Sequence, residues 1–295
     1  MSNTLLQQLR TAGIEPRKAL GQHFLVDEAH LARIAAAAAL RPEDTVLEIG
    51  PGPGPLTHLL AAQAGRVVAV ETDGRLVAFL QQAFVGQAHV QIVQQDILQF
   101  DPCAAGLSDY KVVANVPYYI TSAILRHLLE NACPPALSVL TVQREVAQRA
   151  AAHPPDMSLL AVSVQLFCEV ELVGKIPAGA FYPPPQVDSA ILRLRRRATL
   201  AVALTPSEAP AFFAVVRAGF GQKRKQLHNS LAAGLGQAPG VIAAALRQAG
   251  VDGKRRAETL SLAEWGALTQ ALAAFPTNAG ILPMIAPGEA LDSAV

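Results

Sequence analysis

The sequence predicts an α/β fold, a doubly wound and largely parallel sheet, followed by a small helical domain. Three observations carry that expectation. Short apolar runs of strand type alternate with stretches of helical spacing as far as residue 198. Gly50, Gly52 and Gly54 form a turn between the first such strand and its helix. Beyond Thr199 only helical spacing remains. The expected division is a sheet domain with an N-terminal arm at 1–198, a helical domain at 199–275 and a mobile tail at 276–295, which holds Pro276, Pro283 and Pro287.

Residues 1–16 read as a loose arm. Asp27 suits a helix N-cap, and Leu31, Ile34, Ala35 and Ala38 form the apolar stripe behind it. Val46, Leu47 and Ile49 make the first buried strand. The glycine turn then removes every second side chain, and Leu56, Leu59, Leu60 and Ala61 restart with helical spacing. Residues 66–70 form a second strand ending in Glu71, and 90–93 a third, followed by Gln94, Gln95 and Asp96. Residues 111–114 are a fourth strand that runs into Asn115-Val-Pro-Tyr-Tyr before a helix at Thr121 or Ser122. A fifth strand at 138–142 leads into a helix at 144–152. At 157–168 the alternation of Val162, Val164 and Leu166 fits a strand, while the length also fits a helix. The prolines after Phe181 hold the chain extended, and Ile191, Leu192 and Leu194 complete the last strand. Helices follow at 211–220, 225–235, 241–248 and 259–274, the last with Ser261 as a possible cap.

Composition bounds the function. The chain has 295 residues, 51% of them hydrophobic, so it can bury a full core. No apolar run is long enough to span a bilayer, because Arg33, Glu169 and Glu171 interrupt the best ones, and the N-terminus lacks the order of a signal peptide. No membrane partner is expected. Cys103, Cys133 and Cys168 are odd in number and far apart, which suits a reducing cytoplasm and suggests neither a disulfide frame nor a zinc site. No metal is expected. Net charge is +1, yet residues 193–256 carry twelve Lys and Arg against Glu208 and Asp252, leaving that segment at +10 and the rest at −9. Such asymmetry points to a catalytic body with a basic, partner-facing end.

The glycine turn is a cradle for a nucleotide-type cofactor, but a dinucleotide fingerprint would need Gly or Ala where Pro55 stands. In a parallel sheet Gly50, Glu71, Asp96 and Asn115 all reach the same edge, where ligands bind. Glu71 can accept two hydrogen bonds from a ribose diol. An exocyclic adenine amine is a poor nucleophile because its lone pair is delocalised into the ring. The Asn115 side-chain oxygen and the Val116 carbonyl can accept hydrogen bonds from both amine hydrogens and favour a pyramidal nitrogen. Pro117 stiffens the turn, and Tyr118 offers a face for the base.

Glu48-Ile-Gly-Pro-Gly-Pro-Gly resembles the first motif of S-adenosylmethionine-dependent methyltransferases, which implies a Rossmann-like class I sheet. The longer set is more specific. Leu20-Gly-Gln-His-Phe-Leu, Val70-Glu-Thr-Asp-Gly-Arg-Leu, Gln95-Asp96, Asn115-Val-Pro-Tyr, Gln143-Arg-Glu-Val-Ala-Gln-Arg, Phe181-Tyr-Pro-Pro-Pro-Gln-Val-Asp-Ser-Ala and Lys223-Arg-Lys-Gln-Leu appear in order. From Arg17 to Leu268 the chain resembles the ribosomal RNA adenine dimethyltransferases, in particular those that dimethylate two adjacent adenines near the 3′ end of small-subunit (16S) ribosomal RNA. That resemblance implies cofactor contacts at His23, Leu25, Gly50, Gly52, Glu71, Asp96 and Asn115, with Asp96 on the cofactor's adenine amine. It implies catalysis by Asn115 and Tyr118, stacking on the target base by Tyr118 and Phe181, and RNA docking by Lys223, Arg224 and Lys225. The implied partner is the RNA within a pre-ribosomal particle, met by a monomer in the cytoplasm. His23 stands where the family often has Asn, and residues 153–160 lack the family's usual Gly-Ser-x-x-Tyr-Gly. Two other readings stay open: a single-adenine methyltransferase of large-subunit RNA, and a non-catalytic assembly factor of the same fold.

Overall fold

A computed structural model describes residues 2–275. The arm expected at the N-terminus is instead helical: α1 (Ser2–Thr11) and the turn after it bury Leu9 and Ile14 against Phe24 and Leu76. Two well-buried apolar residues are enough to dock a short helix that propensity alone would leave frayed. Phe24 belongs to β1 (Phe24–Leu25), and Asp27 then caps α2 (Glu28–Ala37) by accepting from the His30 backbone N–H at 3.0 Å.

The central elements are β2 (Thr45–Ile49), α3 (Pro55–Ala61), β3 (Arg66–Glu71), α4 (Gly74–Ala83), β4 (Val90–Gln94), β5 (Lys111–Asn115), α5 (Thr121–Glu130) and β6 (Leu137–Gln143), alternating except between β4 and β5, where a 3-10 turn (Ile97–Gln99) takes the place of a helix. Further on lie α6 (Arg144–Ala150), α7 (Leu159–Phe167), β7 (Cys168–Ile176), β8 (Phe181–Tyr182) and β9 (Ser189–Arg196). The seven-stranded sheet has the order β4-β3-β2-β5-β6-β9-β7. β4 through β6 pair in parallel, and β9 joins β6 antiparallel. The strand order reverses direction between β2 and β5, so their carboxyl ends flank the crevice where such sheets bind ligands. β2 and β5 are buried along most of their length, as central parallel strands are. β1 and β8 pair only with each other, Leu25 opposite Phe181.

The second part of the chain contributes α8 (Ala209–Phe220), α9 (Leu227–Leu235), α10 (Pro239–Gln248) and α11 (Leu262–Ala273). Their apolar faces close around Trp265, which is fully buried. The ambiguous stretch at 157–168 resolves as α7, buried from Leu159 through Leu166, so alternation there carried no information about a surface. The compact units also divide differently from the expected boundary at 198/199. Among the described residues, one comprises 2–147 and Glu171–Arg196, and the other comprises Gln148–Val170 and 197–275. The physical reason is α7, whose Ala161, Val162 and Leu166 belong to the core around Trp265. The expected tail at 276–295 lies outside the described residues. Among the described residues no helix is long and apolar enough to cross a membrane.

The cysteines correct a further expectation. Cys103 and Cys133 form a disulfide, with Cα atoms 5.5 Å apart. They are 30 residues apart in sequence, but β5 and α5 fold the chain back between them. Asn131 accepts from the Cys133 backbone N–H at 2.9 Å, and the Tyr110 hydroxyl donates to the Cys133 carbonyl at 2.9 Å, so the local backbone is held on both sides.

Candidate active site

A cavity of about 300 Å³ opens at the carboxyl ends of β2, β3 and β5. Gly50, Gly52, Glu71 and Asp96 line it together with His23, Asn115 and Tyr118. Seven residues drawn from across the first 118 thus meet in one concavity.

The glycine turn forms its floor. Gly50, Gly52 and Gly54 all take φ values in the left-handed region, at 63°, 57° and 87°. A Cβ on Gly52 would come within 3.1 Å of the Phe24 ring, which lies over the turn. Glycine is needed here for both reasons, conformation and close approach.

Glu71 binds that turn to the next strand. Its Oε2 accepts from the Gly52 N–H at 3.2 Å, and its Oε1 from the Thr72 and Asp73 N–H groups at 2.9 and 3.0 Å. Burial raises its pKa. The backbone donors of Asp73, Gly52 and Thr72 oppose that rise, and the Asp73 charge adds to it. The protein's own donors already occupy much of this carboxylate, and one Oε2 lone pair remains for a ligand hydroxyl. Asp96 is placed differently. It is exposed, its Oδ1 accepts from the Leu98 N–H at 2.9 Å, and Oδ2 keeps no partner among the described residues.

Asn115 ends β5, half-buried. Its Nδ2 donates to the His23 carbonyl at 3.0 Å, which turns Oδ1 into the free end of the amide. The His23 ring is held in turn: Nδ1 lies 2.7 Å from the Pro183 carbonyl and must carry the proton, since that oxygen only accepts. The ring stacks nearly parallel to Tyr118, centroids 6.0 Å apart. The Tyr118 hydroxyl meets Ser189 Oγ at 2.6 Å, fixing the ring plane. Burial pushes the Tyr118 pKa up and Ser189 draws it back, so the phenol stays protonated.

Two expected residues do not line this cavity. Phe181 is only 3% exposed, packed with Leu25 and Ile34, and presents no face to it. Register explains this: in β8 the Phe181 side chain goes to the core, opposite Leu25. Leu25 is likewise buried and borders a smaller, adjoining cavity of about 30 Å³. Three residues outside the expected set matter. Gln22 donates to Asp73 at 3.2 Å and accepts from the Arg17 N–H at 2.7 Å, tying the loop before β1 to the start of α4. The Arg75 guanidinium beside Asp73 holds that carboxyl down at about 2. The third is Glu48, which borders the smaller cavity and is 1% exposed. A charged residue inside an apolar strand was the visible signal for Glu48; nothing local marked Gln22.

Residues 14–273 match the family model described as ribosomal RNA adenine dimethylase. The chain belongs to that family. It is 47% identical to a protein of Dehalococcoides mccartyi (strain CBDB1) named ribosomal RNA small subunit methyltransferase A, over 85% of this chain and 87% of that one. A protein of the same name from Pelotomaculum thermopropionicum is 45% identical, over 88% of this chain and 92% of its own. Among solved structures, the 23S rRNA methyltransferase ErmE superposes with a TM-score of 0.70 at 33% identity, covering 85% of this chain and 99% of that one. A dimethyladenosine transferase from Plasmodium falciparum gives 0.70 at 26% identity, covering 83% of this chain and 96% of that one.

Glu48 yields a test. Burial drives its carboxyl up to about 8, the Thr57 hydroxyl pulling it down and Glu71 pushing it further up. Neither Glu48 Oε2 nor Thr57 Oγ1 makes a hydrogen bond of normal geometry. The folded protein therefore keeps this proton at pH 7, while the unfolded chain releases it near 4.5. The folded state binds more protons between those values, so this group's stabilisation falls as pH rises from about 4.5 to about 8. Glu48→Gln, neutral and of the same shape, should flatten that part of the profile. Melting temperatures at pH 5 to 9 measure it, and parallel curves for the two proteins would refute the assignment.

Proposed function

We propose that this chain transfers methyl groups from S-adenosylmethionine to the N6 amines of two adjacent adenines near the 3′ end of small-subunit ribosomal RNA. It acts in the cytoplasm, as a monomer, on a precursor particle. The observation that carries the chemistry is the orientation of Asn115, whose Nδ2 is spent on the His23 carbonyl and whose Oδ1 is left as an acceptor at the strand-order reversal.

The cofactor suits the residues present. The bare turn at Gly50 and Gly52 admits close backbone approach, Glu71 keeps a lone pair for a ribose hydroxyl, and Asp96 Oδ2 is free for the cofactor's adenine amine. When bound, S-adenosylmethionine supplies an electrophilic methyl group on a sulfonium. Asn115 Oδ1 and the Val116 carbonyl accept from the target amine and localise its lone pair on nitrogen. Tyr118, its ring fixed by Ser189, stacks on the extruded base. No general base is required beforehand, because the neutral amine can lose its proton once it has been methylated. Phe181, buried in the core, takes no part in stacking.

Selection among many adenines requires a wider surface that reads RNA shape and phosphate positions. Lys223, Arg224 and Lys225 lie together, exposed, in the turn between α8 and α9, without ion pairs among the described residues. The second basic run is less available. Arg255 is tied to both oxygens of Glu264, and Arg256 reaches Glu258 at 3.6 Å. The docking role therefore falls to the first cluster.

Three experiments test these assignments. Asp96→Ala should weaken S-adenosylmethionine binding about 10- to 150-fold, the worth of one charge-assisted hydrogen bond, as read by calorimetric titration. An unchanged affinity would remove Asp96 from the cofactor site. Asn115→Ala should lower methyl transfer to small-subunit particles by about two to three orders of magnitude. Normal turnover would sink the mechanism, and modification of large-subunit particles by the wild type would favour the chemistry named for ErmE. Replacing Lys223, Arg224 and Lys225 together with Ala should weaken particle binding and reduce the slope of log affinity against log salt by roughly 2 to 3, with cofactor affinity unchanged. A wild-type slope would make the cluster an ordinary solvated turn.

A further inference from the structure

The mouth of the cavity carries an aromatic ring that the chemistry above leaves unused. Tyr119 follows Tyr118 in the 3-10 turn Tyr118–Ile120 and lines the same cavity, yet it is 65% exposed. Exposure alone means little, since single apolar residues are common on surfaces. Support and position are what distinguish this one. Its ring rests on the loop before β1: a Cβ on Gly21 would come within 3.1 Å of the ring, and Gly21 has a φ of +59°. The Gly21 backbone thus backs the ring on one side. The hydroxyl makes no hydrogen bond among the described residues, so neither packing nor polarity occupies the rest of it. Burying the ring in the core was open to its neighbour Tyr118, half-buried and anchored by Ser189; Tyr119 faces the rim instead.

An adenine seated between Asn115 and Tyr118 remains covalently joined to its neighbours in the RNA. Those neighbours must lie at the mouth of the cavity, where Tyr119 stands one residue from the stacking ring. We propose that Tyr119 is a substrate-positioning residue, a stacking platform for the nucleotide next to the adenine being methylated. The inference rests on the methyl-transfer reading above and deepens it. With two adjacent target adenines, the one outside the cavity rests on Tyr119 while the other reacts, and the two then exchange places. Stacking tolerates any base, because each has a π-face, so a methylated adenine is held as well as an unmodified one.

A purely structural role for Tyr119, bracing the loop at Gly21, predicts different results. Tyr119→Leu keeps an apolar contact over Gly21 but has no π-face; Tyr119→Phe and Tyr119→Trp keep the face. With the full-length protein and small-subunit particles, Tyr119→Leu should raise KM for the particle about 5- to 150-fold, the usual worth of one stacked base, with kcat for the first transfer little changed. Mass spectrometry should find particles with only one of the two adenines dimethylated. Tyr119→Phe and Tyr119→Trp should restore both KM and the even product pattern, and calorimetry should give wild-type affinity for S-adenosylmethionine in all three variants. If Tyr119→Leu matches the wild type in KM and product pattern, the platform is wrong. If it weakens cofactor binding in step with the particle KM, Tyr119 is a brace for the loop. A wild-type protein inert on small-subunit particles would overturn the methylation reading and the platform together, a result distinct from an active wild type beside an unaltered Leu variant.

Discussion

The carboxylate of Glu71 is the interaction on which the site depends. It joins backbone groups from two separate strand ends, Gly52 after β2 and Thr72 and Asp73 after β3. The connection does not stop there. Asp73 holds Gln22, Gln22 holds the loop before β1, and the His23 carbonyl in that loop orients Asn115. A relay of ordinary hydrogen bonds therefore runs from a buried acid to the Asn115 amide. Loss of Glu71 would loosen the glycine turn and, through the loop, the Asn115 amide. Its burial is costly for a charge, and the three N–H donors are what keep that cost tolerable.

Much of this was legible in the chain. Gly50, Glu71, Asp96 and Asn115 each follow a short apolar strand, and parallel pairing brings the carboxyl ends of such strands to one edge. The position of those four followed from period and order alone. What stayed hidden was non-local. Phe181 reads as an aromatic beside an extended proline run, and only its pairing with Leu25 sends the ring inward. Leu9 and Ile14 look too sparse to hold a helix until Phe24 and Leu76 surround them. Gln22 and Asp73 are 51 residues apart, and no spacing rule connects them.

Charge was the least faithful guide. The basic excess between residues 193 and 256 counts side chains without regard to what they touch. Arg193 reaches Glu171 at 3.1 Å, Arg197 reaches Glu169 at 3.4 Å, and Arg255 completes the capping box of Ser261 and Glu264 at the start of α11. Each of these arginines already has a carboxylate partner, which offsets its charge toward a phosphate. A local run on an exposed turn, Lys223 to Lys225, carries more information about a partner than the sum over the segment.

The bond between Cys103 and Cys133 makes a covalent ring of the segment it spans, and that ring encloses β5, Asn115, the two tyrosines and α5. Asn115 and Tyr118 thus lie on one closed loop, with the glycine turn and Glu71 outside it. In the chain-entropy account, closing a loop of this length removes about 3–4 kcal/mol of disorder from the unfolded chain. A reducing compartment keeps such pairs as thiols. The same polypeptide then has two stabilities, one for each oxidation state, and in that account the difference belongs to the folding of the chain as a whole. Air oxidation favours the more stable, closed form, and a reductant favours the open one.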